Sequence, residues 1–245
     1  MTESELMQRF SSDAQPGHAN LAPRDASTLI LLDCSGPSPK VLMGKRHHSH
    51  VFMPGKFVFP GGRVDPSDRL MPVGAPLDPR AEKKLMLHTR RPSAVKARGL
   101  ALAAIRETFE ETGLLLGSKR ADPPTAPNGA WSAFAEANIH PDLSTVHFVA
   151  RAITPPRRAR RYDTRFFTAD ASAIAHKIDG KVSPEAELVE LVWVPLDGIK
   201  EKIELLAITE IVLLDLRKHI EAGFSHDLPV PFYRVKHGKR VREFL

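Results

Sequence analysis

Apolar residues fall along this chain in two rhythms. Short runs rich in branched and aromatic side chains predict strands: "STLILLDC" (27–34), "KVLMGKR" (40–46), "KFVFPGGRVD" (56–65), "TVHFVARAIT" (145–154), "RYDTRFFTA" (161–169) and "ELVELVWVPL" (187–196). The first two, joined by "SGPSPK", read as a hairpin. From Ser93 the spacing turns helical. Leu102, Ile105, Phe109 and Thr112 share one face, Ser93 suits an N-cap and Gly113 a stop, so a helix is predicted over about 93–112. "GAWSAFAEANI" predicts a short helix. A long amphipathic helix is predicted over about 198–222, ended by Gly223. "PFYRVKHGKRVREFL" alternates about His237–Gly238, the pattern of a terminal hairpin. Residues 1–24 are polar and predict a loosely held tail. Residues 66–92 are rich in proline and charge, with one short helical stretch at 81–88. They read as an excursion whose few apolar residues stay off the core, so that removing 68–90 should leave folding intact. Mixed strands and helices place residues 25–245 in one α+β domain.

The predicted helix at 93–112 carries three glutamates, Glu107, Glu110 and Glu111, on one face. Like charges at this spacing repel by a few tenths of a kcal/mol per pair. An amphipathic helix with an acidic, solvated side is one reading. The other is a cation site: Ala103 and Ala104 one turn back are small, and hard ions such as Mg²⁺ and Mn²⁺ prefer carboxylate oxygens. "FPGG" (59–62) adds a double glycine, where the backbone can approach a ligand closely.

Together these segments resemble the signature of the Nudix hydrolases, Gly-x5-Glu-x7-Arg-Glu-U-x-Glu-Glu-x-Gly-U, where U is apolar. "RETFEETGL" (106–114) supplies Arg106, Glu107, Glu110, Glu111, Gly113 and Leu114, and Gly62 supplies the opening glycine. Thr108 stands at an apolar position and Asp68 at the first glutamate position. Between Asp68 and Arg106 the chain has the long 66–92 insertion. This resembles the subgroup that includes peroxisomal coenzyme A diphosphatases. That subgroup's further motif is half present: Arg46, Gly55 and Phe59 to Gly62 are in register, but Val51 replaces an arginine.

The resemblance implies a Nudix-type α/β/α sandwich with a mixed sheet. It implies hydrolysis of a diphosphate linked to another group, with Mg²⁺ or Mn²⁺ as cofactor. It assigns Glu107, Glu110, Glu111 and the Gly61 carbonyl to the metal. Arg106 orients a glutamate, and Glu107 or Glu110 serves as base inside the box. Glu187 is favoured over Glu185 and Glu190 as a further glutamate from outside it. Coenzyme A, acyl-coenzyme A, ADP-ribose, a dinucleotide and a nucleotide sugar all fit as substrates. An inactive ligand-binding module on the same fold is the alternative. A homodimer is common in the family.

Charge adds detail. The net charge is +6, which favours anionic ligands. The basic stretch Arg157, Arg158, Arg160 and Arg161, with Tyr162 beside it, and Arg46 are the candidate substrate-binding groups. No aromatic–basic repeat or helix-turn-helix points to nucleic acid. His47, His48 and His50 lack a second ligand cluster and read as a solvated loop. One cysteine, Cys34, excludes an internal disulfide, no apolar run is long enough to span a bilayer, and the N-terminus lacks a signal-peptide pattern. The expectation is a cytoplasmic protein without membrane partners.

Overall fold

The computed structural model describes residues 19–47 and 55–245. The tail predicted before residue 19, and His48, His50 and Val51, lie outside those residues. Along the chain the strands are β1 (Arg24–Asp33), β2 (Lys40–Arg46), β3 (Phe57–Val58), β4 (Gly61–Arg63), β5 (Leu114–Leu116), β6 (Ser118–Lys119) and β7 (Ile139–His140). They continue with β8 (His147–Ile153), β9 (Tyr162–Asp170), β10 (Ile174–Lys177), β11 (Leu188–Pro195), β12 (Pro231–Lys236) and β13 (Lys239–Phe244). The helices are α1 (Pro79–Met86), α2 (Ala94–Thr112), α3 (Ser132–Glu136), α4 (Ile199–Lys202) and α5 (Ala207–Glu221).

The main sheet runs β11-β2-β1-β9-β8-β12-β13, with β3 on β2 and β4 on β1. β1 pairs β9 in parallel from Arg24↔Tyr162 to Leu32↔Asp170, and β8 pairs β12 in parallel, so the sheet is mixed. In β1, Leu29 and Leu31 face one core and Ile30 and Leu32 the other. A strand buried on both faces reads as an unbroken apolar run, as "LILL" does. On the first face lie α2 and the 66–92 insertion; on the second lie α4 and α5. The layers are therefore helix, sheet, helix, and the class is α+β as the pattern predicts. Among the described residues no helix is long and apolar enough to cross a membrane.

Two expectations need correction. The insertion is no surface excursion: Met71, Leu77, Ala81 and Leu85 are buried in the core around α2, and Asp68 is fully buried. Its polar sequence disguises a short helix that presents only Ala81 and Leu85 inward. The C-terminal helix is also not continuous over 198–222. It breaks after α4, where Ile203 is extended, and resumes at Ala207. The extended step buries Leu205 in the second core and leaves Leu206 at the mouth of a cleft. The terminal hairpin forms where expected, with His237 and Gly238 both at positive φ, the conformation a two-residue turn demands.

The insertion is tied to the C-terminal segment around a small cavity of about 10 Å³ lined by Lys84, His147, His219 and His226. His147 stacks on His226 at 4.4 Å between ring centroids. Lys84 donates to the carbonyls of His226 and Leu228, and Arg80 pairs with Asp227. Burial first, then the charges of His226 and its neighbours, hold His147 down to about 4. Burial and the Lys84 charge do the same to His219. Both rings are thus neutral in the fold but protonate near 6.5 when unfolded. The unfolded chain binds more protons between those values, so stability is complete above about pH 6.5 and falls down to pH 4. Discounted for partial exposure, the loss is about 2 kcal/mol per ring. Urea unfolding at pH 7 and 4.5 should show this drop, and His147→Phe should roughly halve it. An unchanged drop in that variant would assign the acid sensitivity elsewhere.

Candidate active site

Helix α2 starts at Ser93, whose hydroxyl accepts the Lys96 N–H at 3.1 Å. It ends at Gly113, with φ 79, whose N–H donates to the Phe109 carbonyl. A side chain at Gly113 would strike the Ile178 carbonyl at 2.0 Å. The helix is buried on nearly every side, between the sheet and the insertion. Ala103 and Ala104 are therefore packed against protein and leave no approach for a ligand, contrary to expectation. Thr108 fits its apolar position because its buried hydroxyl donates back to the Ala104 carbonyl at 2.8 Å.

Arg106 organises the glutamates. Its Nε and Nη2 grip Asp68 at 2.7 and 3.0 Å. Nη2 also reaches the Arg63 carbonyl at 2.8 Å. Nη1 donates to Glu107 at 2.9 Å and to Glu110 at 2.7 Å. Burial opposes the guanidinium charge, but Asp68, Glu107 and Glu110 outweigh it and hold its pKa above the ordinary value. Asp68, which stands at the first glutamate position of the signature, is thus bound to Arg106 from across the insertion.

Glu111 is buried and Glu107 half-buried, and Arg106 is the cation that Glu107 pairs with. Burial, aided by Glu110 and Asp68 and opposed by Arg106, pushes Glu107 up to about 7. Glu111 is raised well above the carboxylate range by burial, then by Glu187 and Glu107. Its described hydrogen bond is a long one, 3.4 Å from the Gly61 N–H. The double glycine makes the approach possible. A side chain at Gly62 would lie 2.4–2.7 Å from the Glu107 carboxylate, and one at Gly61 would strike β1 at Ser27 and Thr28. Gly62→Ala should therefore cut turnover more than tenfold by displacing Glu107, with little change in melting temperature, because the clash is with a side-chain end. Kinetics and calorimetry on the one variant decide it; full activity would show that the position of Glu107 is not critical.

A divalent cation fits this donor set. The oxygens are hard, Arg106 only partly offsets their mutual repulsion, and the glycines clear the space beside them. Among the described residues no three His, Cys, Asp or Glu side chains already converge to hold an ion. Arg106 draws Glu107 and Glu110 to itself, while Glu111 turns to Gly61.

Glu107, Glu111, Gly61 and Gly62 open into a cleft of about 1490 Å³. Arg46 and Glu187, joined by a short ion pair, lie on its lining, as do Phe59 and Phe166. No protein-family model matches the sequence. Among solved structures, the chain is similar to a Nudix hydrolase from Alicyclobacillus acidocaldarius. The two are 29% identical over 79% of this chain and 90% of that one, with a TM-score of 0.58. This similarity, over most of both chains, supports an enzyme of the Nudix hydrolase type. The Nudix domain of Shewanella oneidensis NrtR, solved with ADP ribose, is 16% identical over 90% of this chain and 99% of that one, with a TM-score of 0.44. The M. smegmatis Nudix hydrolase RenU is 17% identical over 86% and 98%, also with a TM-score of 0.44.

Within the Nudix box, the structure brings Arg106, Glu107 and Glu111 to the cleft. Glu110 is not on the lining, and its side chain is 41% exposed. Of the three glutamates near Trp193, Glu187 lines the cleft, whereas Glu185 and Glu190 turn to Ser183 and Lys45. Arg158 lines the cleft and Arg157 does not. Arg161 faces away, bonded to the carbonyls of Thr154 and Leu21 and to Asn20. Arg160, of the same basic stretch, is on the lining too, whereas Arg24, Arg63 and Arg69, also on the lining, had not been singled out from the sequence. Arg63 had a signal, its place directly after the double glycine. Arg24 had none, because only the parallel β1–β9 pairing sets it beside Tyr162.

Proposed function

We propose that this Nudix hydrolase cleaves the phosphoanhydride linkage of a nucleoside diphosphate joined to another group, with Mg²⁺ or Mn²⁺ held by Glu107, Glu110, Glu111 and the Gly61 carbonyl. The observation that carries this is the pair of carboxylates with raised pKa, half-buried Glu107 and buried Glu111, facing a cleft rich in arginine. The bound ion supplies charge neutralisation for the phosphates and a more acidic water. The protein's own groups do the rest. Arg106 fixes the box glutamates. Glu187, beside Glu111 and half-exposed to the cleft, takes the proton of the attacking water, while Arg46 holds its carboxylate. The oxygen of that water bonds to one phosphorus, and the bridging oxygen leaves with the other phosphate.

The cleft also suggests a substrate with a second anionic group. Gly61 lies opposite Thr28 on β1, and Arg24 lies four residues further along. At about 3.3 Å per residue, the Arg24 end is about 13 Å from the box. Arg158, Arg160 and Tyr162 belong to that end. Coenzyme A, with its 3′-phosphate, and acyl-coenzyme A fit such spacing; a dinucleotide or ADP-ribose uses less of it. A hydrolysis screen over these substrates with each metal tests the reading. If coenzyme A is the substrate, wild type should prefer it to its 3′-dephospho form, and Arg158→Ala/Arg160→Ala should lose that preference. Failure to cleave any diphosphate with either ion would overturn the proposal and favour the ligand-binding module.

A further inference from the structure

We propose that the indole N–H of Trp131 is a positioning group for the site, acting through Asp68 and Arg106 on Glu107 and Glu110. Trp131 lies outside both halves of the Nudix box, at the start of α3, and is fully buried. Its Nε1–H donates to Asp68 Oδ1 at 3.2 Å.

The bonds around it leave nothing spare. Asp68 Oδ1 accepts from Trp131 and from Arg106 Nε, while Oδ2 accepts from Arg106 Nη2 and from the Asp65 N–H at 2.7 Å. These four bonds fill the lone-pair sites of a carboxylate. Arg106 in turn spends all its N–H donors: on Asp68 twice, on the Arg63 carbonyl, and on Glu107 and Glu110. Its side-chain plane is therefore set by where Asp68 sits. Asp68 comes from a short 3-10 turn and is one methylene shorter than the glutamate the family uses, so its carboxylate has little slack. It is fully buried, so no bulk water can replace a lost donor. Trp131 supplies that donor from a third segment. The ring is in turn fixed by Phe134, at 4.9 Å, and Phe134 by Phe109 of the catalytic helix, at 5.6 Å. The indole thus reports the position of α2 to the carboxylate that orients the arginine on it.

The role rests on the assignment of Glu107 and Glu110 to the metal, so the test needs a readout besides hydrolysis. Trp131→Phe keeps an aromatic ring and removes the N–H. Phe134→Leu disturbs the same packing without touching the hydrogen bonds. Both are compared for melting temperature, for kcat and KM on a cleaved diphosphate, and for Mn²⁺ affinity by electron paramagnetic resonance without substrate. Trp131→Phe should lower kcat about tenfold with KM within about twofold, and weaken Mn²⁺ binding about tenfold. Phe134→Leu should lose comparable melting temperature but keep both. In an Asp68→Asn background, Trp131→Phe should add no further loss of kcat or Mn²⁺ affinity. If Trp131→Phe and Phe134→Leu behave alike, or if the losses with Asp68→Asn simply add, Trp131 is packing and the proposal fails. If wild type cleaves no diphosphate yet Trp131→Phe still weakens Mn²⁺ selectively, the function reading fails and the positioning role stands. A wild type that neither cleaves diphosphates nor binds Mn²⁺ overturns both.

Discussion

Glu111→Gln and Glu107→Gln should each fold normally and lose turnover by about three orders of magnitude. The amide keeps the shape of the side chain but is a poor ligand for a hard cation. Stability moves the other way. Glu111 is buried beside Glu187 and Glu107, and these burial and charge effects already disfavour its ionised form. A neutral side chain removes that penalty, so the melting temperature without metal should hold or rise. With excess Mg²⁺ the wild type should gain melting temperature and Glu111→Gln should gain much less, because only binding to the folded state is rewarded. Activity within twofold of wild type in both variants would remove these glutamates from the mechanism. A fall of several kcal/mol in metal-free stability would make them structural instead.

Removing residues 68–90 and closing the gap with a short Gly/Ser linker should abolish folding, the reverse of what the sequence suggests. Met71, Leu77 and Leu85 are all buried in the first core, each contributing about 2 kcal/mol. Without Asp68, Arg106 keeps its burial and loses its main partner, which costs about 3–5 kcal/mol more. The total approaches the whole stability of an ordinary domain, about 5–15 kcal/mol. Near-ultraviolet circular dichroism and a urea titration check it: no cooperative transition is expected. A soluble, cooperatively unfolding deletion would return the segment to the status of a surface loop.

Much of this was legible because strand and helix patterns survive burial. Helix α2 could be placed from Ser93 and Gly113, and the Arg106 to Gly113 spacing carries the resemblance to the Nudix signature. What stayed hidden has a common cause: polar residues used internally. Asp68 reads as a surface charge and is fully buried; Arg151 and Arg165 read as strand polarity and are buried on Asp163 and Asp25. The insertion looks too polar for a core because a two-turn helix needs only two inward residues. The β5–β10 pairing was invisible for another reason: "LLL" follows the helix stop directly and "IAHK" has no alternation, so only their pairing makes them strands. The arginines on the cleft could not be ranked from sequence, since the linear cluster at 157–161 points in several directions while Arg24 comes from the far end of the chain.

The parallel pairing of β1 with β9 has a consequence for how the molecule comes into being. The Thr168 hydroxyl meets the Ile30 carbonyl across 138 residues of chain. The outer partner of β2 is β11, which arrives later still. During synthesis, β1 emerges carrying apolar residues for both faces and must wait for β9 before its second edge is satisfied. Helix α2, with its ends capped by neighbouring residues, can form locally in the meantime. Contacts this distant in sequence slow folding, and an unpaired apolar strand invites association while it waits. The nascent chain is therefore most exposed to aggregation between the release of β1 and the release of β9, and a holdase chaperone acting in that interval should raise the soluble yield.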